Sequence, residues 1–260
     1  MEISKVKIKV YASLSRRKQR DNQGLFVAEG VKCVLETIGL FQLEALVVEK
    51  TILAEGTVPA CVDANRIYVA DMRQMEQISS LSTPPRMLAV YKLPDVTVPA
   101  ACELQHELVL ALDGIQDPGN LGTIMRTADW FGVRHIIASR NTADIFNPKA
   151  VQATMGAIGR VHISYTDLPE YISNYKAQTS LPVYGTLLNG KNIYAAPLSE
   201  TGMIVMGNEG RGISEPVRQL IDSPLLIPSY PRDCETVESL NVAMATAITL
   251  SEFRRIIYGS

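Results

Sequence analysis

From Leu108 onward the sequence keeps changing its hydrophobic period, and that alternation limits the fold more than any other feature. Leu108–Leu112 is a continuous apolar run, suited to a strand buried on both faces. A helical period over Leu121–Phe131 follows, then strand His135–Ser139, helix Pro148–Ile158 and strand Val161–Tyr165. Helix Leu168–Gln178 and strands Pro182–Leu187, Met203–Gly207 and Pro224–Ile227 continue the series. Helix Glu215–Ile221 separates the last two strands, and Leu240–Tyr258 reads as a long closing helix. Strand–helix alternation predicts an α/β fold, a parallel sheet with helices on both faces. Ligands of such sheets gather beyond the carboxyl ends of the strands.

The front of the chain has its own pattern. Strands Leu25–Glu29, Leu43–Glu49, Arg66–Ala70 and Met87–Lys92 alternate with helices Val31–Ile38 and Met72–Ser79. Between the two stretches, LPDVTVPAACELQH carries Pro94 and Pro99 and little periodicity. The expected division is therefore a first domain at 1–92, a linker at 93–106 and a second domain at 107–260. A hydrophobic fraction of 47% with 20% charged residues fits an ordinary globular protein. No apolar run is long enough to cross a bilayer, and the N-terminal segment lacks the apolar core of a signal peptide. Cys33, Cys61, Cys102 and Cys234 form no CxxC pair, and His106, His135 and His162 form no ligand spacing. A cytoplasmic protein without membrane or metal is expected.

The formal net charge is −2, which is not the mark of a general nucleic-acid binder. Basic residues nevertheless concentrate at the front, among them Arg16, Arg17, Lys18 and Arg20. Such a run reads either as a solvated face or as a local phosphate-contacting patch. Composition leaves both open.

Three loops at predicted strand ends carry polar residues that local structure accounts for poorly. The first is Asp113–Arg126 (DGIQDPGNLGTIMR). Its Asp117-Pro118-Gly119 suits a turn and Asn120 an N-cap, but neither role explains Arg126. The second is Met206–Ile213 (MGNEGRGI), in which Glu209 sits among glycines with no apolar face to support. Its order is GxxGxG rather than the GxGxxG of dinucleotide sites, which disfavours a nucleotide-dependent oxidoreductase. The third runs from Ile227-Pro228 to ESLNVAMATAITL, with Ser239 a candidate N-cap of the final helix and Asn241 in its first turn. The stretch Gly185–Asn192 (GTLLNGKN) nearly matches a phosphate-binding loop. Asn192 replaces the required hydroxyl, and Pro197 makes a following helix poor.

Together DPGNLGTIMRTADWFG, VMGNEGRGIS and IP…ESLNVAMATAITLSE resemble the three ordered motifs of the SpoU (TrmH-like) branch of the SPOUT methyltransferase superfamily. The match spans about half the chain. The front stretch, with SLSRRKQRDNQGLFVAEGVKCV, looks more loosely like the ribosomal-protein-like α/β substrate-binding domain of ribosomal RNA members. The resemblance implies a C-terminal trefoil knot, S-adenosylmethionine as cofactor, a homodimer, and an RNA 2′-O-methyltransferase acting on ribosomal, 23S-type RNA. A transfer RNA enzyme and a non-catalytic ribosome-assembly protein are the alternatives.

Carried onto this sequence, the resemblance places cofactor contacts at Gly207, Ile227 and Leu240, with Thr186 and Leu187 in the same pocket. It gives Arg126 the central catalytic role, with Asn120, Glu209, Ser239 and Asn241 around it. A guanidinium stays protonated at accessible pH. Arg126 is therefore expected to bind the adjacent phosphate and stabilise the developing alkoxide, with Glu209 and Asn120 holding it in place. Arg16, Arg17, Lys18 and Arg20 become the expected RNA contacts. An alanine face on the last helix (Ala243, Ala245, Ala247) is expected to admit the partner subunit. Between Pro228 and Glu238 the segment SYPRDCETV is longer than the family's usual loop and lacks its glycine.

Overall fold

A computed structural model describes residues 1–230 and 239–258. The lengthened loop at 229–237 therefore falls, from 231 onward, outside the described residues. The first stretch builds α1 (Lys5–Ser13), α2 (Arg17–Gln23), β1 (Leu25–Glu29), α3 (Val31–Thr37), β2 (Leu43–Glu49) and α4 (Lys50–Ala54). It continues through β3 (Ile67–Ala70), α5 (Met72–Ile78) and β4 (Met87–Lys92). The second stretch is β5 (Leu108–Asp113), α6 (Pro118–Trp130), β6 (His135–Ser139), α7 (Pro148–Thr154), β7 (His162–Thr166) and α8 (Leu168–Thr179). It ends with β8 (Val183–Asn192), β9 (Gly202–Gly207), α9 (Glu215–Arg218), β10 (Ser223–Leu226) and α10 (Val242–Tyr258).

Packing divides the chain into two compact units. One holds Met1–Asp95 together with Asp144–Gly159; the other holds Val96–Ala143 and Arg160–Ser260. The linear division at 93–106 places Asp144–Gly159 with the second domain, whereas its contacts belong to the first unit. Phe146 shows why: its ring lies 4.9 Å from that of Phe26 on β1, while α7 packs along the same strand.

In the first unit the strand order is β1-β4-β2-β3, with β4 antiparallel to both neighbours and β2 parallel to β3. Ala45, Val47, Leu88 and Val90 alternate onto one face and join Tyr11, Leu14 and Met75 in a single core. Helices α1 and α2 escape a reading by apolar period, because α2 (RKQRDNQ) buries only Arg20. Its guanidinium Nη1 donates to the carbonyls of Leu14 (2.8 Å) and Ser15 (3.0 Å). Nη2 meets Asp144 at 2.5 Å. Arg20 is 1% exposed. It cannot serve as the phosphate contact expected of it, since it is enclosed and its Nη donors are used inside the fold. Arg16, Arg17 and Lys18 are exposed, with Arg17 3.9 Å from Asp21. Cys33 is buried here, and burial pushes its thiol up to about 11, so it stays protonated.

The second unit is the expected parallel sheet, in the order β10-β8-β9-β5-β6-β7. Every residue of central β5 is buried, as its unbroken apolar run requires. Register runs Leu112↔Met206 with β9 and Leu112↔Ala138 with β6, so β9, β5 and β6 end almost level. The GTLLNGKN stretch is not a loop at all. It lies within β8, and only a 3₁₀ turn at Ile193–Ala195 follows it.

Candidate functional site

The cap of α6 settles what Asn120 does. Asp117 accepts from the Asn120 backbone N–H at 2.8 Å, with Pro118 at the first helical position. Asp117 is therefore the N-cap, not Asn120, and the Asn120 side chain is released for another partner. Its Nδ2 donates to Glu209 Oε1 at 2.7 Å, and its Oδ1 accepts from Asn241 Nδ2 at 3.0 Å. Asn241 in turn caps α10, its Oδ1 accepting from Ala243 N at 3.0 Å and Met244 N at 3.4 Å. Ser239, two residues too early to cap a helix that starts at Val242, lines a pocket instead. One hydrogen-bonded line, Asn241 to Asn120 to Glu209, thus ties the starts of two helices to the loop after β9. Each amide has one possible orientation in it, because the carboxylate at its end can only accept.

The loop after β9 is itself fixed. Asn208 and Gly212 exchange two backbone bonds (3.0 and 2.9 Å), and Asn208 Oδ1 accepts from the N–H groups of Gly210 and Arg211, both at 3.0 Å. Asn208 Nδ2 donates to Gly114 O at 2.8 Å, and Asp113 Oδ2 accepts from Ser214 N at 2.7 Å. A Cβ on Gly207 would lie 2.4 Å from Gly212 C and Ile213 N, so the tight return of this loop requires glycine there. Asp113 and Asn208 were not among the residues expected from sequence. The signal was present in Asp113, a buried acid ending an otherwise apolar strand.

The middle of β8, the carboxyl ends of β9 and β10 and the start of α10 surround a pocket lined by apolar Leu187, Leu225, Ile227, Leu240 and Val242. Thr186, Gly207, Glu209, Ser239 and Ala245 complete most of its wall. All of the residues assigned to the cofactor, Thr186, Leu187, Gly207, Ile227 and Leu240, are brought together here. Glu209 is bonded only through Oε1 among the described residues, which leaves Oε2 for a ligand. An apolar slot with backbone edges and one free carboxylate oxygen suits a group that is largely aromatic and carries positive charge.

Arg126 is placed differently from the expectation. It is exposed on α6 and makes no hydrogen bond or ion pair with Asn120, Glu209 or any other described residue. Helical geometry is the reason: six residues after Asn120 it lies about 120° around the axis, on another face. Asn120 takes Glu209 Oε1. Among the described residues, no group of three or more His, Cys, Asp or Glu is placed to hold a metal. Nor is any of their helices long and apolar enough to cross a membrane.

The SpoU rRNA Methylase family model matches residues 107–251, more than half of the chain. This chain belongs to that family. The SpoU motifs are the loops just described, and the matched span contains the pocket and the Asn241–Asn120–Glu209 line. A model of the MRM3-like substrate binding domain matches residues 5–89. Over 250 residues the chain is 31% identical to the 23S rRNA (guanosine(2553)-2′-O)-methyltransferase RlmP of Bacillus subtilis, covering 95% of this chain and 96% of that one. A solved TrmH-family protein from Porphyromonas gingivalis superposes with a TM-score of 0.85 at 39% identity, over 98% of this chain and 100% of the other. An AdoMet-bound rRNA methyltransferase from Sinorhizobium meliloti superposes at 0.82 with 26% identity, over 99% and 98%.

Proposed function

We propose that this protein methylates a ribose 2′-hydroxyl of 23S-type ribosomal RNA, using S-adenosylmethionine, in the cytoplasm and as a homodimer. The observation that carries the reading is the convergence of Asn241, Asn120 and Glu209 on the pocket that holds every expected cofactor residue. The match of residues 5–89 to a substrate-binding domain favours ribosomal RNA over transfer RNA. Binding alone would not need the amide–carboxylate line, which disfavours a purely structural RNA-binding role. A C-terminal trefoil knot belongs to the same reading, supported by the return of α10 against α6 and β9.

When bound, S-adenosylmethionine supplies a methyl group on a sulfonium whose departure leaves a neutral thioether. Gly207, Ile227 and Leu240 offer backbone groups to its polar edges, while Leu187, Leu225 and Val242 exclude water. Glu209 contributes negative charge beside the reacting centre, held by Asn120 and through it by Asn241. The acceptor oxygen must be aimed and relieved of its proton. Arg126 cannot take that proton, so it binds the adjacent phosphate and stabilises the developing alkoxide, and the proton passes to phosphate or water. Free of Glu209 and exposed on α6, its guanidinium is open to RNA.

The homodimer is supported by the shared surface of α6 and α10, which pack together. Trp130 is 85% exposed and Met244 55% exposed on these helices, large apolar groups that a partner would cover. The alanines do not form the single face expected of them. Successive positions two apart lie about 200° apart around a helix, so Ala243 is buried and Ala245 lines the pocket. Calorimetry with S-adenosylmethionine against NAD and ATP, followed by mapping 2′-O-methyl sites in ribosomal RNA of a deletion strain, tests the reading. NAD or ATP binding in place of S-adenosylmethionine, or an unchanged methylation map, sinks it. Sedimentation as a fully active monomer at micromolar concentration removes the dimer.

A further inference from the structure

In the parallel-sheet unit, the fold answers most positive side chains itself. Arg134 and Arg160 share Asp129, Lys176 holds Asp222 and Arg255 holds Glu252. Arg254 donates to the carbonyls of Phe131 and Gly132, and Arg218 to Asn189. Among the described residues of this unit, Arg126, Arg140, Lys191 and Arg211 are left without a side-chain partner. All are exposed, and three of the four lie at the carboxyl end of a strand or just after it. Lys191 is near the end of β8, Arg211 in the turn after β9 and Arg140 immediately after β6, whereas Arg126 is nine residues along α6, which leads away from that edge. Unpaired charge thus collects on the edge where ligands bind.

Arg140 is held there firmly. Ser139, which precedes it, accepts from Gly114 N at 2.8 Å, and Thr142 donates to Leu112 O at 3.2 Å. The side chain of Asn141 packs against Gly114, since a Cβ there would lie 3.2 Å from Asn141 Nδ2 and 3.9 Å from Asn208 Cβ. Gly114 is bonded to Asn208, the neighbour of Glu209. The backbone of Arg140 is therefore braced against the same mesh that positions Glu209 and Asn120. Arg211 has its own N–H bound to Asn208 Oδ1 at 3.0 Å, at the tip of that loop. Neither arginine lines the cofactor pocket.

We infer that Arg140 and Arg211 grip backbone phosphates on either side of the acceptor nucleotide, so that the RNA strand crosses the sheet edge from β9 to β6. This rests on the methyltransferase reading above. The ends of β9 and β6 are two strand spacings apart, about 10 Å, a span that one or two nucleotides of backbone cover. Guanidinium forks match phosphate oxygens in pairs. A protein of net charge −2 has no global attraction for RNA to rely on, so unpaired local cations must supply the contacts.

The test uses the full-length protein, tritiated S-adenosylmethionine and an unmodified 23S ribosomal RNA transcript. Arg140→Ala and Arg211→Ala should each raise KM for RNA about tenfold, the size of one charge-assisted bond, with kcat within about twofold. The log–log salt dependence should become shallower by roughly one unit per arginine, while calorimetric affinity for S-adenosylmethionine stays unchanged. Arg140→Lys should restore the salt slope but not the full affinity. A double alanine variant with wild-type KM and slope overturns the track, given turnover by the wild type. A wild type that binds S-adenosylmethionine and leaves the transcript unmethylated defeats the ribosomal reading instead, and the track with it.

Discussion

The two edges of the parallel sheet carry similar side chains and do opposite things with them. At the amino edge, His135 meets Glu107 at 2.7 Å and stacks on His162 with ring centroids 5.5 Å apart. Arg134, Arg160 and Arg254 are there too, spent on Asp129 and on helix-end carbonyls. A cavity opens beside them, lined by His106, Glu107, Arg134, Glu200 and Arg254; Glu107, Arg134 and Arg254 are bonded to His135, to Asp129 and to helix-end carbonyls. At the carboxyl edge, Arg140 and Arg211 stay unpaired among the described residues, and the polar contacts that do form organise loops around a pocket. What separates the charges of the two edges is whether they have a partner, not their residue type.

The largest effect expected from that contrast lies at Arg126. Arg126→Ala should lower kcat by about 10²–10³-fold, the loss typical of one donor aimed at developing charge. Affinity for S-adenosylmethionine should change little, since Arg126 does not line the pocket. Arg126→Lys should fail nearly as badly, because a point charge cannot replace a fork. Near-normal turnover in either variant would dissolve the functional half of the comparison.

Arg20 extends the same rule beyond the sheet. Its guanidinium is enclosed and bonded to Leu14, Ser15 and Asp144. Arg20→Ala removes the cation from Asp144 Oδ2 and the donor from two carbonyls, and should cost about 3 kcal/mol of stability. Denaturant midpoints measure it. A variant that keeps its stability but loses RNA affinity would return Arg20 to the RNA surface.

At the amino edge the expected change is smaller. Glu107→Gln removes a charge from a pair whose side chains are 24% and 36% exposed. Solvent screening limits the loss to at most about 1 kcal/mol. Both kcat and KM for RNA should stay at wild-type values. A kinetic defect in this variant with stability intact would show that the two edges are not functionally distinct.

Much of this was legible in the sequence, for identifiable reasons. Each strand from Leu25 to Leu226 announces itself by β-branched or continuous apolar runs, and the motif loops lie at strand ends because the topology puts them there. Helices α1 and α2 escape for want of an apolar period, and most of the other misses involve partners that sequence distance hides. Asn120 and Ser239 are both good N-cap types, but Asp117 and Asn241 hold those positions and leave the other two for the site. Arg20 sits in a basic run, yet its fate is decided by Asp144, 124 residues away. Arg126 shares a motif with Asn120, but a separation of six residues puts it on another face of α6. Asp144–Gly159 follows the pattern of the second domain and packs with the first through Phe146 and α7.

The smallest expected effect concerns the rest of the basic front cluster. Arg16, Arg17 and Lys18 remain exposed once Arg20 is withdrawn from it, and Arg17 is partly offset by Asp21 at 3.9 Å. They lie in the segment matched by a substrate-binding domain. If they neutralise phosphates, a triple alanine variant should bind ribosomal RNA a few-fold more weakly. Its salt dependence should be shallower by roughly one unit for each phosphate left without its cation, fewer than three if Arg17 is neutralised by Asp21. Turnover at saturating RNA should not change, because these residues belong to the other unit from the pocket. The measurement is a salt titration of RNA affinity beside the Arg140 and Arg211 variants. Should the triple variant match the wild type while those variants lose slope, the cluster is a solvated face and the carboxyl edge of the sheet holds the phosphates. Should all of them lose slope additively, the RNA is held by both units at once, since interactions that do not couple contribute independent free energies.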